Sequence, residues 1–399
     1  MIGISKLYLG TVEASDPLRY GRKASRLPSH LLQFSADKKP VVVWNVTSRC
    51  NLKCQHCYAA TTTPQSELNT EQALAVIDDL AAFGCPVVLF SGGEPFTRPD
   101  LFDLAQYAVG KKLRVVFSTN GTLIDPAKAA RIKALGASYV GISLDGTREI
   151  HDRFRRAVGA YDGAIAGIRA CREAGVKVGL RVTMTRDNVG EIPAIFQVMR
   201  QENIPRICLY HLVYSGRGAE IANHDLPPDI RRRTLDTIIE ETQKLHRDGF
   251  QTEVLTVDNH CDGPYLYLRM KREGNPRADG VMELLKMNGG NSTGLGIGCI
   301  SWDGTVYPDQ FWRDKPLGNV LETPFSKIWG EPPEGSFLAN LRAKKQHVEG
   351  RCATCRFLDV CGGNFRARAE AATGNIWGND PACYLTDEEI ASPPGGKAF

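Results

Sequence analysis

Between residues 41 and 213 the chain repeats one pattern six times, a short and nearly continuous apolar run followed by a longer polar or amphipathic stretch. The runs fall at 41–46, 86–91, 113–118, 138–144, 176–184 and 206–213. Helix-like segments fill most of the gaps, at Thr70–Phe83, Pro99–Gly110, Asp125–Leu135, Tyr161–Ala174 and Glu191–Glu202. Thr70 and Asp125 are expected N-caps, since their side-chain oxygens can accept from the free amides of a first helical turn. Gly84, Gly136 and Gly175 are expected stops, since glycine ends a helix in the left-handed conformation at no steric cost. Strands apolar on both faces and separated by helices predict an α/β fold with a parallel sheet covered by crossovers. The alternation itself fits an open partial barrel and a doubly wound sheet equally well.

After the sixth unit the pattern changes. Pro227 to Arg247 reads as one helix, with Ile230, Leu235, Ile238, Ile239 and Leu245 on its apolar face. Residues 270–296 are polar and rich in Gly and Asn, so a linker or a loop around the substrate is expected there. From Cys299 onward, short strands, Gly/Pro turns and the last five cysteines mark a second, small domain. The expected division is an N-terminal extension at 1–40, a core at 41–225, a helical covering region at 226–298 and a cysteine-bearing domain at 299–399.

Cys50, Cys54 and Cys57 follow the first apolar run directly, three thiols within eight positions. A strand that delivers three soft ligands to one loop suits an iron–sulfur cluster, and a cubane held by three cysteines keeps one iron open. Structural zinc takes paired Cys-x-x-Cys units with a fourth ligand close by, and here the one near candidate, His56, sits inside the second gap. Cysteine usage as a whole points the same way. The chain has 12 cysteines, and its start lacks the basic and long apolar regions of a secretory leader, so a reducing cytoplasm is expected. No apolar run approaches the roughly 20 residues of a membrane span. A net charge of +4 is too small to argue for nucleic acid.

The Cys-x-x-x-Cys-x-x-Cys loop with Tyr58 after it resembles that of the radical S-adenosylmethionine (radical SAM) superfamily. The resemblance selects the partial (β/α)6 TIM-type barrel. It implies a [4Fe–4S] cluster on Cys50, Cys54 and Cys57 whose open iron chelates SAM, and hydrogen abstraction by a 5′-deoxyadenosyl radical. Ser91-Gly92-Gly93-Glu94-Pro95, at the end of the second run, resembles the superfamily's GGEP motif, making Gly92, Gly93 and Glu94 expected SAM contacts. Ser118, Asn120, Ser143 and Asp145 end the next two runs and are candidates for the SAM carboxylate and ribose, though residues of these types are also ordinary turn and cap formers. Arg181, a charge inside an apolar run, is expected to meet the SAM carboxylate or a structural acid.

Cys352-x-x-Cys355-x5-Cys361 followed by Cys383 resembles the SPASM-type (twitch-like) domain of many radical SAM enzymes, and implies an auxiliary [4Fe–4S] cluster. A structural zinc would take the same four thiols. Two positions depart from the full two-cluster pattern, Phe365 and Asp309 standing where it has cysteines. Cys261 and Cys299 are left without a role, while Cys85, Cys171 and Cys208 read as core.

Longer stretches narrow the resemblance to the tetrapyrrole-modifying branch of the family. Among them are Ile4–Tyr8, Leu18–Gly21, His211–Gly218, Asn288–Gly294 and Asp380–Glu389. The implied reaction removes two acetate side chains from 12,18-didecarboxysiroheme, giving iron-coproporphyrin III in haem biosynthesis. Propionate modification in haem d1 biosynthesis, peptide maturation and a non-catalytic electron carrier are the alternatives. An iron-tetrapyrrole substrate and a reductant such as ferredoxin or flavodoxin are the implied partners. Arg153, Arg155, Arg156 and Arg217 are offered as anchors for substrate carboxylates, with a solvated surface as the plain alternative. His211 and Tyr214 are the candidate catalytic residues, as ligands to the substrate iron or as donors of a proton or hydrogen atom to the product.

Overall fold

A computed structural model of the chain describes residues 1–11, 39–60 and 65–391. Leu18–Gly21 and most of the expected N-terminal extension lie outside the described residues. The strands are β1 (Ile2–Gly3), β2 (Val41–Thr47), β3 (Val87–Gly92), β4 (Arg114–Thr119), β5 (Tyr139–Ser143), β6 (Val178–Met184), β7 (Arg206–His211), β8 (Glu253–Val257), β9 (Ile297–Ile300), β10 (Thr305–Tyr307) and β11 (Gly318–Asn319). They form one sheet in the order β1-β8-β7-β6-β5-β4-β3-β2-β9-β10-β11. Every pairing from β8 across to β9 is parallel, whereas β1 at one end and β10 and β11 at the other are antiparallel. The six expected strands are β2–β7, in sequential order, as right-handed βα crossovers produce.

Side chains alternate across the strands, so each strand feeds two environments. Trp44, Phe90 and Phe117 occupy neighbouring rungs of β2, β3 and β4 and are fully buried. Their rings lie 5.8 and 5.9 Å apart, forming an aromatic ladder within the core. Val43, Leu89 and Ser118, one position away in each strand, instead line a cleft. Burying such a large ring stabilises by roughly 1.5–3 kcal/mol, so the ladder also fixes the register that aims the opposite face at the cleft.

Helix ends follow local chemistry. Asn69, not Thr70, caps the helix Thr70–Phe83: its extended backbone lets the side chain accept from Gln72 N, and Gln72 answers in a capping box. Thr70 is already inside the first turn, and its hydroxyl donates to Asp100 at 2.8 Å. Asp125 caps Pro126–Ala134 as expected, accepting from Lys128 N at 2.7 Å.

The stretch 226–298 supplies more than the helix Pro228–Arg247. It also carries β8 and the helices Asp262–Arg272 and Ala278–Asn288, so the loop expected at 270–296 is largely helical. Those helices bury Tyr265, Leu266, Met270, Val281, Met282 and Leu285, an apolar face that the Gly- and Asn-rich flanks obscure. β9 straddles the expected boundary at 299 and pairs with β2, which carries the barrel sheet directly into the C-terminal region. No helix among the described residues is long and apolar enough to cross a membrane.

Candidate active site

The loop after β2 is held from three sides. Gly93 N donates to Thr47 O at 2.8 Å and Glu94 N to Arg49 O at 2.7 Å, tying the Gly-Gly-Glu turn to the loop's first residues. The approach admits no side chain. A Cβ on Gly92, where φ is +127°, would lie 2.5 Å from Thr47 O, and one on Gly93 would lie 2.1 Å from Arg49 O. From the end of β7, Arg217 N donates to Cys57 O at 3.0 Å and Arg217 Nε to Cys54 O at 2.7 Å. Gly216 makes room for this contact, since a Cβ there would come within 2.5 Å of Cys57 O. Arg217 therefore braces the cysteine loop, a role different from the carboxylate anchor expected for it.

The third hold is electrostatic. Arg155 Nη1 donates to Cys54 Sγ at 3.5 Å, and the same guanidinium pairs with Asp145, which has no exposed surface. Asp145 Oδ1 also accepts from Thr183 N at 2.9 Å, and Asp145 N donates to His151 Nδ1 at 3.0 Å. Asp145 does not line the cleft; it holds the arginine that touches a cysteine sulfur. His56 lines the cleft, and its buried Nδ1 has no hydrogen-bond partner. Burial lowers it to about 4, and its ring packs on Phe154 at 5.1 Å.

Cys50, Cys54 and Cys57 line one cleft at the C-terminal ends of the parallel strands, where ligand sites of such sheets belong. Cys50 is exposed at the mouth of this cleft and Cys54 is buried, and a cationic iron would hold such thiols as thiolates. Three thiols on the wall of one cleft, with Arg155 facing one of them, are the donor set of a cluster that keeps an open coordination position. Tyr58, Gly92, Gly93, Ser118, Asn120, Ser143, Arg181 and His211 line the same cleft. Tyr58 is fixed through its hydroxyl, 3.1 Å from Asn45 Oδ1 and 3.2 Å from Ser91 Oγ. Asn120 is engaged locally, its amide donating to Asn51 in the cysteine loop and its oxygen accepting from Thr122.

Glu94 sits behind the lining. Its carboxylate accepts from Thr119 Oγ1 at 2.8 Å, Asn120 N at 2.8 Å and Phe96 N at 3.2 Å, bracing β3 against β4, and burial raises it to about 7. Arg181 has no acid partner; Nη1 donates to Tyr210 OH at 2.9 Å and Nε has no hydrogen-bond partner. Gly141 on β5 leaves room for that guanidinium, as a Cβ there would meet Nε at 2.2 Å. Tyr214 does not reach the cleft, its hydroxyl donating to Asp225 Oδ2 at 2.7 Å.

One cleft residue lacked any signal in the sequence. Asp258 follows β8 with φ +63°, is buried, and has an Oδ2 without a partner. Burial pushes it up to about 7, outweighing the pull of Arg368. With the folded value above the ordinary one, its contribution to stability is complete below the usual carboxylate range and lost as pH rises through about 7. Thermal unfolding should therefore show a drop in Tm from pH 6 to pH 8.5 that Asp258→Asn reduces by a few degrees. Equal drops in both proteins would refute the assignment.

The C-terminal cysteines form a second group. Burial raises the thiols of Cys352, Cys355 and Cys361, and Cys383 adds to the shift in each, so the four cysteines of the sequence pattern lie in one region of the C-terminal part. Cys261 lies beside Cys383, its thiol donating to Asn259 Oδ1 at 3.1 Å and facing Ala382 O at 3.7 Å. Cys299 is elsewhere, on β9 with Asn45 Nδ2 at 3.6 Å from its sulfur. Where a two-cluster pattern has further cysteines, Asp309 accepts from Thr293 Oγ1 at 2.8 Å and Phe311 N at 2.9 Å, and Phe365 packs edge-on to Phe311 at 5.5 Å. Phe311 in turn meets Tyr58 edge-on at 5.1 Å and lines the cleft.

Comparison with known proteins agrees with this layout. Residues 44–199 match the model of the radical SAM superfamily, and residues 296–356 match that of the SPASM iron–sulfur cluster-binding domain. The chain is 59% identical to Fe-coproporphyrin III synthase of Methanosarcina barkeri over 395 residues, spanning 98% of this chain and 99% of the relative. This protein belongs to the radical SAM superfamily. As a radical SAM enzyme with a SPASM domain it uses SAM and iron–sulfur clusters, and its β2–β7 core is the family's partial barrel. It is also 40% identical to pre-heme d1 synthase of Dinoroseobacter shibae over 359 residues, 89% of this chain and 88% of that one. Its fold matches the crystal structure of Streptococcus suis SuiB bound to precursor peptide SuiA with a TM-score of 0.69, at 15% identity, covering 90% of this chain and 79% of that one.

Proposed function

We propose that this radical SAM enzyme removes the two acetate side chains of 12,18-didecarboxysiroheme to give iron-coproporphyrin III. The observation that carries the reading is 59% identity along essentially the whole length of both chains with a protein named for that product. Cys50, Cys54 and Cys57 would hold the SAM-binding cluster, and Cys352, Cys355, Cys361 and Cys383 the auxiliary one. Bound together, cluster and SAM supply a primary carbon radical able to take a hydrogen atom from an unactivated position. The residues of the chain do the rest. Arg155 offsets negative charge at Cys54, held in place by Asp145. Gly92 and Gly93 line the cleft and let the cysteine loop close on the turn beside it, and Arg181, with Nε unpartnered, offers a cation to a carboxylate within the cleft. Tyr58 and Phe311 form an apolar wall between the cysteine loop and the SPASM domain, which limits water at the reacting centre. A ferredoxin or flavodoxin is the class of reductant this chemistry needs.

The test is anaerobic turnover of the reduced, reconstituted protein with SAM and 12,18-didecarboxysiroheme, followed by mass spectrometry. Loss of two acetate units with formation of 5′-deoxyadenosine is the expected result. Mass change confined to the propionates would move the assignment to haem d1 chemistry, and SAM cleavage with the tetrapyrrole unchanged would overturn the substrate.

A further inference from the structure

His211 ends β7 with only 4% of its surface exposed, and it lines the cleft that also holds the three N-terminal cysteines. Its Nε2 lies 3.0 Å from Oδ2 of Asp262, a carboxylate with no exposed surface. The other oxygen, Oδ1, accepts from Tyr384 OH at 2.7 Å. An acceptor-only carboxylate fixes the proton on Nε2, leaving Nδ1 with a lone pair. That Nδ1 is buried and has no hydrogen-bond partner.

A buried polar atom left without a partner costs about 1–3 kcal/mol; the Nδ1 atoms of His56 and His260 share this state, but neither has its other nitrogen on a buried carboxylate, as His211 does. Here one nitrogen is oriented by a buried carboxylate, the carboxylate is oriented by a buried tyrosine, and the free nitrogen belongs to a residue of the cleft wall. This is how ligating histidines are built: the far N–H goes to a carboxylate that sets the tautomer and strengthens the donor. Neutral imidazole suits iron. Tyr214, the other oxygen or nitrogen donor expected in this region, is turned away to Asp225.

We propose that His211 Nδ1 is an axial ligand to the iron of the tetrapyrrole substrate, with Asp262 and Tyr384 as positioning residues. The proposal rests on the tetrapyrrole reading above. It assigns His211 to gripping the macrocycle at its centre.

The experiment is an equilibrium titration of the cluster-loaded protein, without reductant, followed by the visible absorption of the ligand. The probes are 12,18-didecarboxysiroheme and its iron-free counterpart. Wild type should bind the iron form at least about tenfold more tightly and shift its main absorption band. His211→Ala should bind both forms alike, and millimolar imidazole should restore the shifted band. Asp262→Asn should retain the band but lose roughly 10–100-fold in affinity for the iron form alone. His211→Gln, close in volume, guards against a folding artefact: circular dichroism like that of wild type must accompany loss of the band. Equal binding of both probes by wild type, or an unchanged band in both His211 variants, would overturn the ligation while leaving the substrate reading intact. No binding of either probe by wild type would overturn both.

Discussion

Arg368→Met should cost about 3–5 kcal/mol of stability, seen as a large fall in the urea midpoint. Arg368 and Asp380 pair at 2.8 Å, and neither side chain has any exposed surface. The guanidinium also donates to Leu212 O at 3.0 Å and to Asp258 O at 2.8 Å, the residues that follow β7 and β8. Asp380 accepts from Phe365 N and Ala382 N, in the segments that carry Cys361 and Cys383. One buried ion pair therefore joins the rim of the barrel to the auxiliary site. Removing the arginine leaves Asp380 charged, buried and unpaired, and strips two carbonyls of their donors. Adding Asp380→Asn should recover part of the loss, because it removes the uncompensated charge. A loss below about 1 kcal/mol, the range of exposed pairs, would show that the pair does not join the two regions.

Gly93→Ala should eliminate the N-terminal cluster while sparing the auxiliary one. The added Cβ would lie 2.1 Å from Arg49 O and 2.6 Å from Arg49 C, backbone atoms that cannot rotate aside. The residue that must move directly precedes Cys50, so the loop loses the geometry its three thiols require. Iron analysis should show the loss of one cluster's iron, and SAM cleavage should fall at least about 100-fold. The electron paramagnetic resonance signal of the auxiliary cluster should persist. Gly190→Ala provides the comparison, since nothing lies within 4 Å of a Cβ there. Full cluster content in Gly93→Ala would mean that the loop tolerates the displacement and that the glycine serves another purpose.

What could be read in the sequence follows from physical range. β2–β7 and their helices were legible because each satisfies a local rule: an apolar run, a cap, a glycine stop. β8, with Glu253-Val254-Leu255-Thr256-Val257, begins on a charge and lies outside the run of six regular units, and its place between β7 and β1 explains why it is buried. The first three cysteines share one cleft because eight positions of one loop hold them. Asp145 and Arg155 were each noticed, one for SAM and one for the substrate, but nothing local tells that they find each other and Cys54. A charged side chain declares its need for a partner and not which partner it finds. Asp258 gave no sign at all, since its surroundings come from distant parts of the chain, among them Arg368, 110 residues away, which donates to its carbonyl.

The pairing of β9 with β2 has a consequence for biosynthesis. Chains emerge from the ribosome N-terminus first, so residues 41–257, which carry β2–β8, are exposed before residues 297–300 exist. Until then β2 is an edge strand, Val41-Val42-Val43-Trp44 with one row of backbone groups unpaired, the kind of edge that recruits other chains. The catalytic barrel and the cluster domain are thus sequential in the gene but not independent in folding. A truncation before Ile297 should aggregate rather than yield a working half-enzyme, and the nascent protein needs a chaperone or fast elongation to protect this edge until β9 arrives.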